Sequence, residues 1–261
     1  MARRLISFVL PLMLCCQAVI ANDVPIQKNE IKLYVSPANV EQATLALKLD
    51  YQKAENQTVC FFDTNDESLA AHHLILRARQ PADRSGDSSV KIRMVAGTSE
   101  LSKIEQAIQP EQDWTHEADP MISRSLNRNS ITKGLLAKVV AAEKSVSELF
   151  NEAQQQLVTA RMKDFNWQTL NRYGPIQVQV WKKHCKFEGF DEAVTVELWH
   201  LEIAGKKEEI LEVSTKAMAA SDAHSHALAS QFYAAAKAAG LGEPSKISKT
   251  NKVFDFYRSS R

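Results

Sequence analysis

The sequence predicts an α+β fold, a closed β-barrel of about eight strands with a few flanking helices. Alternating apolar and polar residues, the pattern of half-buried strands, recur in the first and last thirds of the chain, and helical patterns lie between and after them. No internal repeat, low-complexity tract or clear linker divides the chain. With 261 residues, 44% of them hydrophobic and 24% charged, the composition is that of a globular protein with a sizeable core. These observations favour a single barrel domain.

The first residues have the pattern of a secretory signal peptide. Two arginines precede a short apolar run, and small residues follow up to Ala21. We therefore predict a leader over residues 1–21, cleaved near Ala21, and one domain over residues 22–261 in a periplasmic or secreted protein. A lipid anchor on Cys15 or Cys16 is the alternative. The apolar run is too short to cross a bilayer, so we expect no stable membrane insertion after cleavage.

Cleavage would change the charge and the cysteine content of the chain. It removes two arginines and no acidic residue, which takes the formal net charge from +1 to −1. Such a chain has no basic excess to attract nucleic acid, so any anion site must be local. Cys60 and Cys185 remain, and an exported compartment permits a disulfide between them. Their separation in space is not set by the sequence, so the pairing stays open.

The predicted domain begins with a strand, a helix and a second strand. The first strand covers residues 31–35 and has Glu30 and Lys32 on one face. Ser36, which precedes a proline, is typical of a helix start. Residues 56–62 form the next predicted strand and lead into a hairpin.

The hairpin carries the most informative charge pattern of the chain. Two alternating runs flank a loop at residues 80–89 that is rich in Pro, Gly, Ser and Asp. Arg77 and Arg79 share one face of the first run, and Lys91 and Arg93 share one face of the second. A sheet with one solvated face is the ordinary explanation. Because like charges destabilise a bare sheet, a phosphate-rich ligand on this face is the alternative.

The middle of the chain is predicted to be largely helical, and the last third returns to strands. Glu117 and Asp119 share a face of a strand over residues 114–119, between a short helix over 99–108 and an irregular segment over 121–129. The later predicted elements are a helix over 131–162, strands over 175–186, 193–203 and 209–216, a helix over 221–239 and a basic tail over 244–261.

The order of several short motifs resembles that of the CYTH, or triphosphate tunnel metalloenzyme, superfamily. The resemblance covers most of the chain, from residue 30 to residue 257. It implies an eight-stranded antiparallel tunnel whose lumen holds a triphosphate and a divalent metal. Activities in that superfamily include inorganic tripolyphosphatase, thiamine triphosphatase, adenylyl cyclase and RNA triphosphatase. The motifs are Glu30-Ile31-Lys32-Leu33, Phe61-Phe62-Asp63-Thr64, Leu74-Ile75-Leu76-Arg77-Ala78-Arg79, Val90-Lys91-Ile92-Arg93, Glu212-Val213-Ser214-Thr215-Lys216 and Ser248-Lys249-Thr250.

The resemblance also implies which side chains would form the site. Cations would bind the phosphates, since the planar fork of Arg suits phosphate oxygens. The substrate-binding candidates are Lys32, Arg77, Arg79, Lys91, Arg93, Lys216 and Lys249. The candidates to hold Mg²⁺ or Mn²⁺ through oxygen atoms are Glu30, Glu117, Asp119, Glu197 and Glu212. Glu30 and Glu212 are also the catalytic candidates.

Two departures from the family pattern leave alternatives open. The first strand carries Lys28 where relatives have a glutamate, and Ser214 stands where another acid is common. We expect an exported protein that binds and hydrolyses a small triphosphate, either tripolyphosphate or an organic triphosphate, with a divalent metal. The alternatives are capture of polyphosphate or another polyanion without turnover, and a structural network of salt bridges in the lumen. Adenylyl cyclase activity is disfavoured because ATP is scarce outside the cytoplasm, and the histidine spacing predicts no zinc site.

Overall fold

The structure, a computed structural model, describes residues 27–95, 101–116, 120–242 and 248–259. The predicted leader over residues 1–21 lies outside these ranges, as do Glu117 and Asp119. Among the helices of the described ranges, none combines the length and the apolar character that a membrane span requires.

Nine strands of the described residues close into one barrel, flanked by helices, which confirms the predicted α+β barrel. Around the barrel the strands run β1-β5-β6-β4-β3-β2-β7-β8-β9, and β9 pairs with β1. The prediction of eight strands, all antiparallel, differs in two respects, because there is a ninth strand and β1 pairs with β5 in parallel. The strands are β1 (Gln27–Val35), β2 (Glu55–Asp63), β3 (Leu74–Pro81), β4 (Gly86–Met94), β5 (Pro110–Trp114), β6 (Met121–Ile131), β7 (Asn171–Lys186), β8 (Ala193–Ile203) and β9 (Lys206–Ala219).

Seven α-helices pack on this barrel or against its end within the described ranges. They are α1 (Val40–Ala46), α2 (Ser68–Ala71), α3 (Lys103–Gln106), α4 (Leu135–Val140), α5 (Glu152–Arg161), α6 (Asp222–Ala238) and α7 (Lys249–Arg258). Helix α6 confirms the predicted final helix, and its N-cap Ser221 accepts a hydrogen bond from the backbone N–H of His224. Helix α7 falls in the segment that was predicted only as a basic tail.

The strands β5 and β6 are where the sequence prediction was wrong. Strand β5 ends at Trp114, where the predicted strand begins, and β6 covers the segment predicted to be irregular. The reason is the polar interior of the barrel. Inward-facing positions of β6 are Ser125, Asn127 and Asn129, so this strand has no apolar alternation by which to recognise it.

The predicted long helix over residues 131–162 is broken into α4, a 3₁₀ turn and α5. The breaks lie at two capping boxes. Ser145 and Glu148 form the first, and Asn151 and Gln154 form the second, each joining the side chain of one residue to the backbone N–H of the other. Leu136, Val139, Val146, Leu149 and Leu157 are buried along this segment, so it keeps an apolar side although the caps divide it.

Three apolar clusters hold the barrel and its helices together. One joins α1 and α6 to the outer face of β1, β8 and β9, and a second joins α4 and α5 to the outer face of β2, β3 and β4. The third lies inside the barrel, where Phe61 and Trp199 meet the apolar face of α7. Helix α7 therefore fills one end of the barrel interior. Cys60 is buried in the second cluster and Cys185 lies against the first, and both are free thiols.

The aromatic packing of α7 leads to a stability prediction. The Phe254 ring lies 4.6 Å from that of Tyr173 and 6.0 Å from that of Phe61, measured between centroids. We expect Phe254→Ala to lower the free energy of unfolding by about 3–5 kcal/mol, because the cavity left inside the barrel cannot collapse fully. Urea denaturation measures this loss. The control is Leu45→Ala, at a side chain that is 73% exposed, which should change stability by less than about 0.5 kcal/mol. Equal losses in both variants would contradict the placement of α7.

Candidate functional site

A cavity of about 770 Å³ lies inside the barrel, and we call it the tunnel. Charged side chains dominate its lining. The hairpin contributes four of them, as its alternating pattern predicted. All seven cations predicted to bind substrate line it, together with Lys183 and Lys186 at the junction of β7 and β8. The acidic lining residues of the described chain are Glu30, Asp87, Glu111, Asp191, Glu192, Glu197 and Glu212.

The register between β3 and β4 keeps the four hairpin cations apart. Arg77 lies opposite Ser89, and Lys91 lies opposite Ile75, so no two of these cations face each other across the ladder. Arg79 lies opposite Asp87, and its Nε donates to both carboxylate oxygens at 2.9 and 3.2 Å. The cation face therefore avoids the direct like-charge pairs that would destabilise it.

Asp113, on β5, is the central carboxylate of the tunnel wall. Its Oδ1 lies 2.8 Å from Lys32 Nζ, and its Oδ2 lies 3.3 Å from Lys91 Nζ and 2.5 Å from Arg93 Nη2. Burial alone would raise the pKa of Asp113, but Lys32, Arg93 and Lys91 together hold it well below its ordinary value. This carboxylate stays ionised and compensates three cations.

Sequence reasoning missed Asp113 because the strand was predicted four residues too late. The alternation of Glu111 and Asp113 was the available pattern, since it places two acids on one face of a short strand. Glu111 also lines the tunnel and lies 3.2 Å from Lys216 Nζ.

Glu30 lies among three lysines near the same wall. Its carboxylate oxygens lie 2.6 Å from Lys32 Nζ, 3.6 Å from Lys91 Nζ and 3.5 Å from Lys216 Nζ. Burial would raise the pKa of Glu30, but the three ammonium groups lower it well below its ordinary value. Lys28, which stands where relatives have a glutamate, is exposed and does not line the tunnel, so it places no cation beside Glu30.

Lys249 joins two further carboxylates at the inner end of the tunnel. Its Nζ donates to Glu197 Oε2 at 2.6 Å and forms an ion pair with Glu212 Oε2 at 3.0 Å. Burial would raise the pKa of Glu197, but Lys249 brings it to about 2. Burial raises the pKa of Glu212, and its neighbour Glu197 adds to that rise while Lys249 opposes it. The two carboxylates face each other across β8 and β9 and share one ammonium group.

Arg77 differs from the other six cations predicted to bind substrate, each of which forms an ion pair. In the part of the chain that the structure describes, it forms no ion pair within 4.0 Å, and its buried Nε has no acceptor. Burial and the nearby Arg79 lower its pKa to about 10. A buried N–H group without an acceptor is costly unless an anion reaches it.

The described carboxylates do not form a ready divalent-metal site. Within residues 27–95, 101–116, 120–242 and 248–259, no group of three or more His, Cys, Asp or Glu side chains is placed to hold a metal ion. Glu30, Glu197 and Glu212 each have an ammonium group within 3.0 Å. The predicted ligands Glu117 and Asp119 lie outside the described residues. The residues present therefore do not fit a preassembled Mg²⁺ or Mn²⁺ site.

Comparisons with known proteins support the fold. No protein-family model matches the chain, and no curated protein matches its sequence. Among solved structures, the candidate adenylyl cyclase HpAC1 from Hippeastrum, described as having a dominant triphosphatase activity, aligns with a TM-score of 0.51 at 20% identity and covers 90% of this chain and 96% of its own. A candidate adenylate cyclase from Bacillus halodurans aligns with a TM-score of 0.52 at 13% identity, over 87% of this chain and 98% of its own. The chain thus shares the fold of adenylyl cyclase-like proteins, in agreement with the expected CYTH-like barrel.

The ion cluster around Asp113 leads to a second stability prediction. We expect Asp113→Asn to lower the free energy of unfolding by about 3 kcal/mol, because Lys32, Lys91 and Arg93 would lose the buried carboxylate that they share. Thermal and urea unfolding measure this. The control is Asp83→Asn, which removes an exposed ion pair with Arg84 and should have little effect.

The effect of Asp113 should also depend on pH. Its folded pKa lies below the unfolded value of about 3.9, so its stabilisation is fully present above that value and is lost as pH falls. The stability difference between wild type and Asp113→Asn should therefore be constant near neutrality and shrink below about pH 4. A difference that stays the same down to pH 3 would show that Asp113 is not held by its cations.

Proposed function

We propose that the tunnel binds the phosphate groups of a small triphosphate or short polyphosphate. The observation that carries this proposal is Arg77, a partly buried arginine that lines the tunnel and whose buried Nε has no acceptor among the described residues. Arg79 lies two residues away on the same face and uses its Nε for Asp87. A phosphate between these two guanidinium groups would supply the missing acceptor and offset their repulsion.

The local charge supports phosphate binding better than the charge of the whole chain does. The full sequence has a formal net charge of only +1, so no long-range field would draw in an anion. Most tunnel cations are also compensated by carboxylates within the wall. Binding therefore depends on a few poorly compensated cations in a partly desolvated site, where an ion contact is stronger than in water.

Hydrolysis of the bound triphosphate is the second candidate function. HpAC1, which shares the fold, is described as having a dominant triphosphatase activity. In this chain Glu212 is the better-suited base, because burial and the neighbouring Glu197 raise its pKa. Glu30 is a weaker base, since its pKa is lowered by Lys32, Lys91 and Lys216.

The chemistry of turnover would need few groups. A water oxygen would attack the terminal phosphorus, the bridging P–O bond would break, and the water proton would pass to Glu212. Arg77 and the neighbouring cations would neutralise charge on the transferred phosphoryl group. Mg²⁺ or Mn²⁺, if supplied with the substrate, would neutralise phosphate charge further. The described carboxylates do not fit a preassembled site for a metal, so the turnover depends on the side chains of the tunnel alone.

Export through the leader pattern over residues 1–21 is part of the proposal.

Anion binding is tested by thermal shift and calorimetry with tripolyphosphate in the presence of EDTA. We expect tripolyphosphate to raise the melting temperature of the wild type, since a ligand that binds only the folded state stabilises it. Arg77→Ala should weaken binding by roughly 1.5–3 kcal/mol, the size of a hydrogen bond to a charged group. The control is Arg84→Ala, which removes an exposed guanidinium that pairs with Glu55 and does not line the tunnel. Equal binding by both variants would exclude Arg77 from the site.

Turnover is tested by phosphate release from tripolyphosphate, ATP and thiamine triphosphate, with and without Mn²⁺. If hydrolysis occurs, Glu212→Gln should abolish it. Glu30→Gln should reduce it, because Lys32, Lys91 and Lys216 would lose the carboxylate that holds them in place. The rate should rise with pH through a value above the ordinary glutamate pKa of about 4.3, because the base must be ionised. Binding without any release would identify a capture protein rather than an enzyme.

A further inference from the structure

Lys249 has an unusual position for a lysine. It is the first residue of α7, after the N-cap Ser248, and it is buried. A cation at a helix N-terminus is unfavourable because the helix dipole is positive there. Burying an ammonium group adds a further desolvation penalty. Something in the barrel must offset both effects.

Three groups of the barrel wall contact this ammonium. Glu197 Oε2 accepts a hydrogen bond from Nζ at 2.6 Å, and Glu212 Oε2 lies 3.0 Å from the same atom. The ring of Trp199 lies 4.0 Å from Nζ, measured to its centroid, in a cation–π contact. Trp199 Nε1 also donates to Glu197 Oε2 at 2.9 Å, which orients that carboxylate. The ammonium is thus held by two acids and one aromatic face.

The backbone behind Lys249 is fixed as well. Helix α7 packs Val253, Phe254 and Tyr257 into the apolar cluster inside the barrel. Because the helix is held by this cluster, the ammonium cannot move far from the carboxylate pair without disturbing the packing. Lys249 and Thr250 both line the tunnel, so this end of the tunnel presents a fixed cation.

We infer that Lys249 is a built-in cation that occupies the place between Glu197 and Glu212 where a divalent ion would otherwise bind. Mg²⁺ and Mn²⁺ are commonly bound by one or two carboxylates, and two facing carboxylates such as these could hold such an ion. Here the shared cation is covalently part of the chain. The pair therefore does not recruit a metal, and an anion in the tunnel meets an ammonium group at this end instead. The inference concerns the protein's own groups and does not depend on which anion binds.

The inference is tested by titrating the full chain with Mn²⁺ in the absence of phosphate and measuring free Mn²⁺ by electron paramagnetic resonance. Lys249→Met keeps most of the side-chain volume and removes the charge. We expect it to bind Mn²⁺ about 100-fold more tightly than the wild type, because the repulsion between an ammonium and a dication is gone. The double variant Lys249→Met with Glu212→Gln should lose the gained site. Lys249→Arg, which keeps a cation, should bind Mn²⁺ no better than the wild type.

The control and the contrary outcomes separate this inference from general charge effects. Lys182→Met removes an exposed ammonium that pairs with Glu55 outside the tunnel, and it should not create a Mn²⁺ site. Wild-type Mn²⁺ binding that Glu197→Gln or Glu212→Gln weakens would overturn the inference, and this arm needs no Lys249 variant to fold. A folded Lys249→Met, verified by circular dichroism, that gains no Mn²⁺ site would also overturn it. Failure of tripolyphosphate to bind would instead count against the proposed function, because the Mn²⁺ titration contains no phosphate.

Discussion

Compensation of charge inside a closed barrel is the constraint on which this structure depends. A barrel whose strands turn Lys32, Lys91 and Arg93 inward needs an anion among them, and Asp113 supplies it from β5. The short β5 is inserted beside β1 in parallel, and this pairing brings the carboxylate to the cations. Without that strand, the wall would carry buried cations with too few carboxylates to neutralise them.

The same constraint explains why the tunnel has two different ends. Near the wall of β1, β4 and β5, carboxylates and cations alternate and almost every charge has a partner. Towards α7 the interior becomes apolar, and the aromatic residues of the helix fill it. Arg77 lies between the charged wall and the apolar end, on β3, whose outer face packs against α4 and α5. Arg77 therefore points into the tunnel, where no carboxylate of the described residues lies within 4.0 Å of its guanidinium.

Much of the barrel could be predicted from period-two alternation, and the failures have physical reasons. The hairpin of β3 and β4 was clear because Leu74, Leu76 and Ala78 face an apolar helix layer while Arg77 and Arg79 face the tunnel. Strand β6 was not recognised because its inward positions are polar, so both of its faces are rich in polar residues. Asp113 was missed with β5, and the breaks at Ser145 and Asn151 were missed because two capping boxes interrupt a segment that was predicted as one helix. Lys249 was identified as a site residue only through its motif, since three-dimensional packing of α7 is needed to bring it to Glu197.

The pairing of β1 with β9 has a consequence for how the protein reaches its working form. This ladder joins Gln27 to Ala219, the two extremes of the barrel sequence, and it is the seam that shuts the cylinder. Contacts so far apart along the chain form slowly, because the entropy of closing the long intervening loop is lost before these contacts stabilise the fold. Glu30 lies on one side of the seam and Lys216 on the other, opposite each other in the register. A nascent or truncated chain that lacks β9 would therefore have no enclosed lumen, and the proposed capacity to hold an anion would arise only when this last strand docks.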